Sequence, residues 1–214
     1  SMHACGHDGH MAMALGAAAA LTTTRDFSGT IHFVFQPAEE PGHGAQSMMA
    51  AGLFDLYPMD AMFGLHNLHG LPAGSLHTRP GAIMASEDLF EIHIHGRGGH
   101  ASRPEAVVDP LVVGAEIITA LQSIVSRSVA PTDVAVVSCT EFISDGARNA
   151  IPSNVIIKGD TRSFDAEVQA TIERRMRELV AGVCAAHGAT SEVIYTHEFA
   201  PTINDARSTE TAVA

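Results

Sequence analysis

Short apolar runs broken by Gly, Pro and Asp fill the first part of the chain, whereas beyond residue 84 apolar side chains recur with periods of two and of three to four. In the first part the spacing predicts a helix at 10–22, a strand at 30–36, a helix at 44–51 and a strand at 61–66. Helices alternating with strands imply a mainly parallel sheet, with ligands gathered where loops leave the carboxyl ends of strands. In the second part the pattern reads strand 88–95, helix 109–128, strands 134–143 and 154–164, helix 166–187 and strand 191–198. That order, β-α-β-β-α-β, predicts a ferredoxin-like sandwich with two helices over one face of a four-stranded antiparallel sheet. The second of these helices is amphipathic: Val168, Ile172, Met176, Leu179, Val180 and Val183 recur at helical spacing, with Glu173, Arg174, Arg175, Arg177 and Glu178 between them. The first carries Val112, Val113, Ile117 and Ile118, which must be buried in the core or against a partner. The fold class is therefore α/β in two parts.

Composition narrows the function classes. With 214 residues, 46% hydrophobic and 17% charged, the chain has the make-up of a soluble α/β protein. A net charge of -12, with only 12 scattered Lys and Arg, argues against a nucleic-acid partner. Three Cys without regular spacing form no disulfide framework and suit a reducing cytoplasm, with Cys139 and Cys184 expected in the core of a strand and a helix. No signal peptide or 18-residue apolar span is read here, so no membrane partner is expected. The Ala-rich residues 11–21 are too short to span a bilayer and end on Thr22, Thr23, Thr24 and Arg25, which reads as a buried helix.

The chemistry is concentrated near the amino terminus. Glu39 and Glu40 follow the apolar run ending at Phe35 and lie between Cys5-Gly6-His7-Asp8-Gly9-His10 and Gly64-Leu65-His66-Asn67. A hydrolytic metal needs thiolate, imidazole or carboxylate ligands, an open position for water, and a second carboxylate to take that water's proton. In extended backbone neighbouring side chains point to opposite sides. Glu39 and Glu40 would then divide the labour, one holding metal and the other accepting the proton, while Cys5 and His7, two apart, would share a side and an ion. Taken singly, a Cys is usually a small buried hydrophobe, a His a satisfied core or surface group, and a Glu pair a solvated edge. Their clustering favours metal. Of the 13 His, His3, His10, His43, His69 and His77 read as supporting or surface groups. Gly42 and Gly44, after Pro41, allow a sharp turn away from the carboxylates.

These motifs, in this order and spacing, resemble subfamily D of the M20 peptidases, the hippurate hydrolase, IAA-amino acid hydrolase and aminoacylase group. The resemblance continues through Gly98-Gly99-His100-Ala101-Ser102, Asp109-Pro110, Asn149-Ala150-Ile151-Pro152 and Thr161-Arg162-Ser163-Phe164-Asp165. It implies part of a zinc-peptidase-like catalytic domain over 1–84, an inserted ferredoxin-like dimerisation domain over 85–199, and a return toward the catalytic domain over 200–214. Two divalent ions (Mn, Zn, Ni or Co) would be held by Cys5, His7, Glu40 and His66, with Glu39 as general base. His100 would reach the partner subunit's active site to steady an oxyanion, and Asn149 and Arg162 would contact substrate, the Arg fork suiting a free carboxylate. The implied reaction is hydrolysis of an N-acyl amino acid by a cytoplasmic homodimer. Against this pattern the chain reads as truncated at both ends. A further family metal-binding His lies past the dimerisation domain, and neither His187 nor His197 is placed to replace it.

Two other readings stand beside this one. An inactive fragment or degenerate copy acting only as a dimerising metal-binding module would bind without hydrolysis. A metal store would use the His surplus but has no need of Glu39 beside Glu40. For Arg162 the plain alternative is an ion pair with Asp160 or Asp165.

Overall fold

Alternating side chains in β2 (Glu87–His95) send Phe90, Ile92 and Ile94 to one face, where each is at most 2% exposed. The computed structural model containing this strand describes residues 5–214, and the chain divides after His77 into two compact units. In the second unit β2 is joined by β4 (Ala135–Ser144), β6 (Asn154–Ser163) and β7 (Thr190–Phe199) in an antiparallel sheet of order β4-β6-β2-β7. The register places Ile92 opposite Ile157 on one side and Val193 on the other.

Two helices cover the apolar face. Helix α4 (Pro110–Ser123) starts with Pro at its first position and with the Asp109 carboxylate accepting the Leu111 N–H; a π-helical turn, Ile124–Ser128, prolongs it. Together they make 19 residues, Pro110–Ser128, long and apolar enough to cross a membrane by length and composition, contrary to the expectation of no such span. Here Val113, Ile117, Leu121 and Ile124 all lie in the sandwich core, while Val112 is 56% exposed. Helix α5 (Ala166–His187) is capped by Asp165, which accepts from Glu167 and Val168 N–H, and ends at Gly188 in the left-handed region, φ 71. Its Val168, Ile172, Met176, Val180 and Cys184 follow at four-residue steps and are buried. Ile172→Ala should lower stability by about 2–5 kcal/mol, from lost transfer energy and the cavity left behind. A fall in denaturant midpoint with unchanged slope checks this; an unmoved midpoint would mean the site collapses without loss.

Short pairings complete the second unit. Strand β1 (Gly81–Met84) pairs with β8 (Thr202–Asn204), and the Asn204 amide donates to the Arg79 carbonyl, 3.0 Å, so residues near both ends of the unit are joined. Strand β3 (Gly99–His100) pairs with β5 (Ala150–Ile151). The last helix, α6 (Ala206–Val213), is capped by Asp205.

The first unit contains α1 (His7–Thr24), α2 (Gly44–Ala50) and α3 (Leu53–Leu56). Its described residues include no strand. Runs 30–36 and 61–66 have no ladder, and Ile31, Phe33, Val34, Phe35, Met62, Phe63 and Leu65 are 39–60% exposed. Apolar runs can dictate extended backbone locally, but a strand also needs a neighbour to take its N–H and C=O groups. Helix α1 is likewise not the buried helix expected from its composition: none of its residues is buried, and Met11, Met13 and Leu15 are exposed.

Candidate metal centre

The first unit gathers its donors at the start of α1. Gly6 adopts φ 83, where a side chain would be strained, and the helix begins at His7 directly after this turn. His7 and His10, three apart on the helix, share a face, with ring centroids 5.2 Å apart. The Cys5 Sγ lies 3.4 Å from His66 Nε2. His7 Nε2 lies 3.5 Å from Glu39 Oε2 and 3.4 Å from Glu40 Oε1. Two overlapping triads result, Cys5-His7-His66 and His7-Glu39-Glu40, in each of which one atom per residue falls within 4.8 Å of the others.

Both carboxylates face His7, so the expected alternation does not hold. Extended backbone is lost at Ala38, φ 47, and Glu39 and Glu40 sit in a turn tied by Gly42 N–H to Glu39 O, 2.8 Å, and Gly44 N–H to Ala38 O, 3.1 Å. Gly44 is required there, because a Cβ would collide with the Pro37 carbonyl. Cys5 and His7 do meet, but through the Gly6 turn and not by sharing one side of a strand.

Hydrogen bonds decide which imidazole nitrogens are available. His66 Nδ1 lies 2.6 Å from the Asn67 carbonyl, which can only accept; Nδ1 therefore carries the proton and Nε2 turns its lone pair toward Cys5. The Asn67 N–H donates to His10 Nε2, 2.8 Å, so that nitrogen is an acceptor and His10 is neutral. Burial, followed by the neighbouring His66 and His7, holds the His10 pKa below the usual imidazole value. The lowered value means this link is complete above the ordinary histidine range and is lost as pH falls through the His10 pKa. Asn67 also donates from Nδ2 to the Gly6 carbonyl, 3.0 Å, and a Cβ on Gly9 would collide with its side chain. His10 thus supports the site by holding the His66-Asn67 backbone; its only signal in the sequence is the three-residue step from His7. Of the other supporting His, His3 lies outside the described residues.

This donor set fits a divalent ion. It combines a thiol sulfur, imidazole nitrogens with one lone pair already directed, and two carboxylates, a borderline-soft mixture that suits Zn, Ni, Co or Mn.

The second unit brings His100 and Asn149 together. They line one open cleft with Gly98, Gly99, Asp145 and Ser153. His100 pairs with Ala150 across β3 and β5, and the Asn149 carbonyl accepts the Ala101 N–H, 3.0 Å. The Ser102 N–H donates to His100 Nδ1, 3.2 Å, and the Ser102 hydroxyl lies 2.8 Å from the same nitrogen. Nδ1 is therefore the acceptor, and the neutral ring presents Nε2–H as a donor.

The model of peptidase family M20/M25/M40 matches residues 1–214. The chain belongs to the M20 peptidases. This M20 chain is 42% identical over 206 residues to an N-acyl-L-amino acid amidohydrolase of Geobacillus stearothermophilus, covering 95% of the chain and 55% of the relative. It is 42% identical over 189 residues to the hippurate hydrolase of Campylobacter jejuni, covering 87% and 48%. Among solved structures it is similar to a Bacillus subtilis protein described as a dinuclear metal-binding peptidase of the M20 family, with 33% identity, TM-score 0.77 and coverage of 99% and 54%. The chain spans about half the length of these relatives.

Other polar residues of the M20 chain are committed elsewhere. Arg162 does not line the His100 cleft: its Nε donates to Asp160 at 2.7 Å and its Nη2 to Glu87 at 2.5 Å. His187 pairs with Glu116 and His197 with Asp88. Asp88 is a buried carboxylate that the sequence does not single out. It accepts from Gln169 as well, 2.7 Å, with Thr161 and Tyr195 beside it, so both of its buried oxygens have hydrogen-bond partners.

Proposed function

We propose that this M20 protein hydrolyses the amide bond of N-acylated amino acids, hippurate-like compounds included, using two divalent ions held by Cys5, His7, Glu40 and His66. The observation that carries the reading is the pair of triads sharing His7, which places two carboxylates against a directed imidazole and thiol set. The names of the relatives support the same reaction class. When bound, such ions supply Lewis acidity toward the substrate carbonyl and acidify water near neutral pH. Glu39 takes the proton of the attacking water and returns it to the departing nitrogen. Nε2–H of the partner's His100 donates to the oxyanion as the carbonyl carbon becomes tetrahedral. The partner's Asn149 amide contacts substrate from the same cleft. Dimerisation would use the outer side of α4, where Val112 is exposed, and β4, which is an edge strand of the sheet. Three free thiols accord with a reducing compartment.

Arg162 enters this scheme as the fork for the substrate carboxylate, displacing Glu87 or Asp160. Arg162→Lys should then raise KM by about ten- to a hundred-fold, the worth of a charge-assisted hydrogen bond, and leave kcat nearly unchanged. The effect should vanish for a substrate whose carboxylate is amidated. An equal loss for both substrates, with a lowered melting temperature, would return Arg162 to a purely structural ion pair.

The reading as a whole is tested by assaying the full-length protein on a panel of N-acyl amino acids with Mn, Zn, Ni or Co added and after chelation. Metal-dependent release of the free amino acid supports it. A folded dimer that binds metal and releases nothing with any ion would leave a dimerising metal-binding module.

A further inference from the structure

Residue Asp145 belongs to none of the motifs that point to hydrolysis, yet it closes the neck of the loop that carries Asn149. Its Oδ1 accepts the backbone N–H groups of Ser153 and Asn154, each at 3.1 Å, and its Oδ2 accepts Asn154 Nδ2 at 2.8 Å. Reciprocal bonds between Ala147 and Ala150, 3.1 and 3.0 Å, fold the tip of the loop. The same neck is stitched to the segment before His100. The Ser153 carbonyl accepts Gly96 N–H at 2.8 Å, its hydroxyl oxygen accepts Gly98 N–H at 3.2 Å, and Asn154 Oδ1 accepts His95 Nδ1–H at 2.9 Å. The two segments approach so closely that a Cβ on Gly98 would press on the Ile151 carbonyl and the Ser153 hydroxyl. Beyond the neck they continue as the His100 to Ala150 pairing and the Ala101 to Asn149 bond. A continuous set of hydrogen bonds therefore runs from one carboxylate to both cleft residues.

We infer that Asp145 is a positioning residue, clamping the 145–154 loop onto the 95–101 segment so that His100 and Asn149 meet the substrate as one unit. The inference rests on the hydrolytic reading above. Three donors, led by the Asn154 amide, hold the Asp145 carboxyl below the usual range, so the clamp stays ionised and intact at neutral pH. Asp145→Asn keeps the size but turns an NH2 group toward the Asn154 NH2 group, setting donor against donor. Asn154→Asp instead sets carboxylate against carboxylate. The double exchange restores the side-chain bond between positions 145 and 154 with donor and acceptor reversed, while the backbone N–H groups of 153 and 154 still meet an oxygen at 145 and the carboxylate at 154 still accepts from His95.

The experiment compares wild type, both single variants and the double variant in the full-length protein. It follows kcat, KM, bound metal, melting temperature and the His100 imidazole resonances by NMR, assigned with His100→Ala. Each single variant should lose about ten-fold or more in kcat, the cost of small misplacement. KM, metal and melting temperature should stay near wild type, the His100 signals should shift, and the double variant should regain both rate and signals. Unchanged kcat and unmoved signals in Asp145→Asn would overturn the inference. So would a loss that only follows a lowered melting temperature and is not rescued by the exchange. If the wild type itself hydrolyses nothing, the hydrolytic reading fails, and the His100 signals alone then decide whether Asp145 sets that ring.

Discussion

Exchanging Glu39 for Gln is expected to lower kcat by about 10²- to 10⁴-fold, the usual contribution of a general base, while bound metal is retained. Gln fills the same volume and can still accept a hydrogen bond, but it cannot carry a proton from water to the departing nitrogen. The neighbouring carboxylate makes the contrast informative. Glu39 Oε2 and Glu40 Oε1 lie almost equally close to His7 Nε2, at 3.5 and 3.4 Å, so the two residues differ in proposed role and hardly in distance. Glu40→Gln should therefore fail differently, losing metal first and activity as a consequence. Metal content measured beside kcat distinguishes them. A Glu39 variant that loses its metal while the Glu40 variant keeps metal and loses turnover would exchange the two assignments.

His100→Ala should cost about 10²- to 10³-fold in kcat, with KM nearly unchanged, because a donor aimed at an oxyanion contributes mainly as that charge develops. The structure supplies the reason for expecting a donor: Ser102 occupies Nδ1, which leaves the proton on Nε2. Complementation tests whether the group acts across a dimer. When Glu39→Gln and His100→Ala chains are mixed and allowed to exchange, half the dimers are mixed and each holds one intact site, so about a quarter of the wild-type rate should return in a symmetric dimer. If no activity returns although exchange is complete, His100 serves the metal centre of its own chain.

The second unit was largely legible because its elements are long and strictly periodic. Alternation through Phe90, Ile92 and Ile94 and the four-residue steps of α5 place most of the core without knowledge of neighbours. Shorter pieces escaped. Two to four residues, as in β1, β3, β5 and β8, are too few to carry a period, and their pairing joins residues far apart in the chain. The apolar runs at 30–36 and 61–66 show the opposite error. Their composition is that of buried strands, but a strand needs a neighbour to pair with, and these runs have no ladder and exposed side chains.

At the candidate metal centre, the donors that the fold brings together, Cys5, His7, Glu39, Glu40 and His66, could be picked out from the chain alone, because donor chemistry is a property of the residue. Their geometry could not. Adjacent carboxylates were expected to diverge, and one residue with positive φ, Ala38, turned both toward His7. The lone pair of His66, the acceptor role of His10 and the Nε2–H of His100 each follow from hydrogen bonds. Two of these are made within a residue or two, but the bond that holds Asn67 to His10 spans 57 positions. Residue type and local period are written into the chain before it folds. Tautomer, lone-pair direction and the closure of one loop upon another exist only after distant backbone groups have met, and those belong to the tertiary structure.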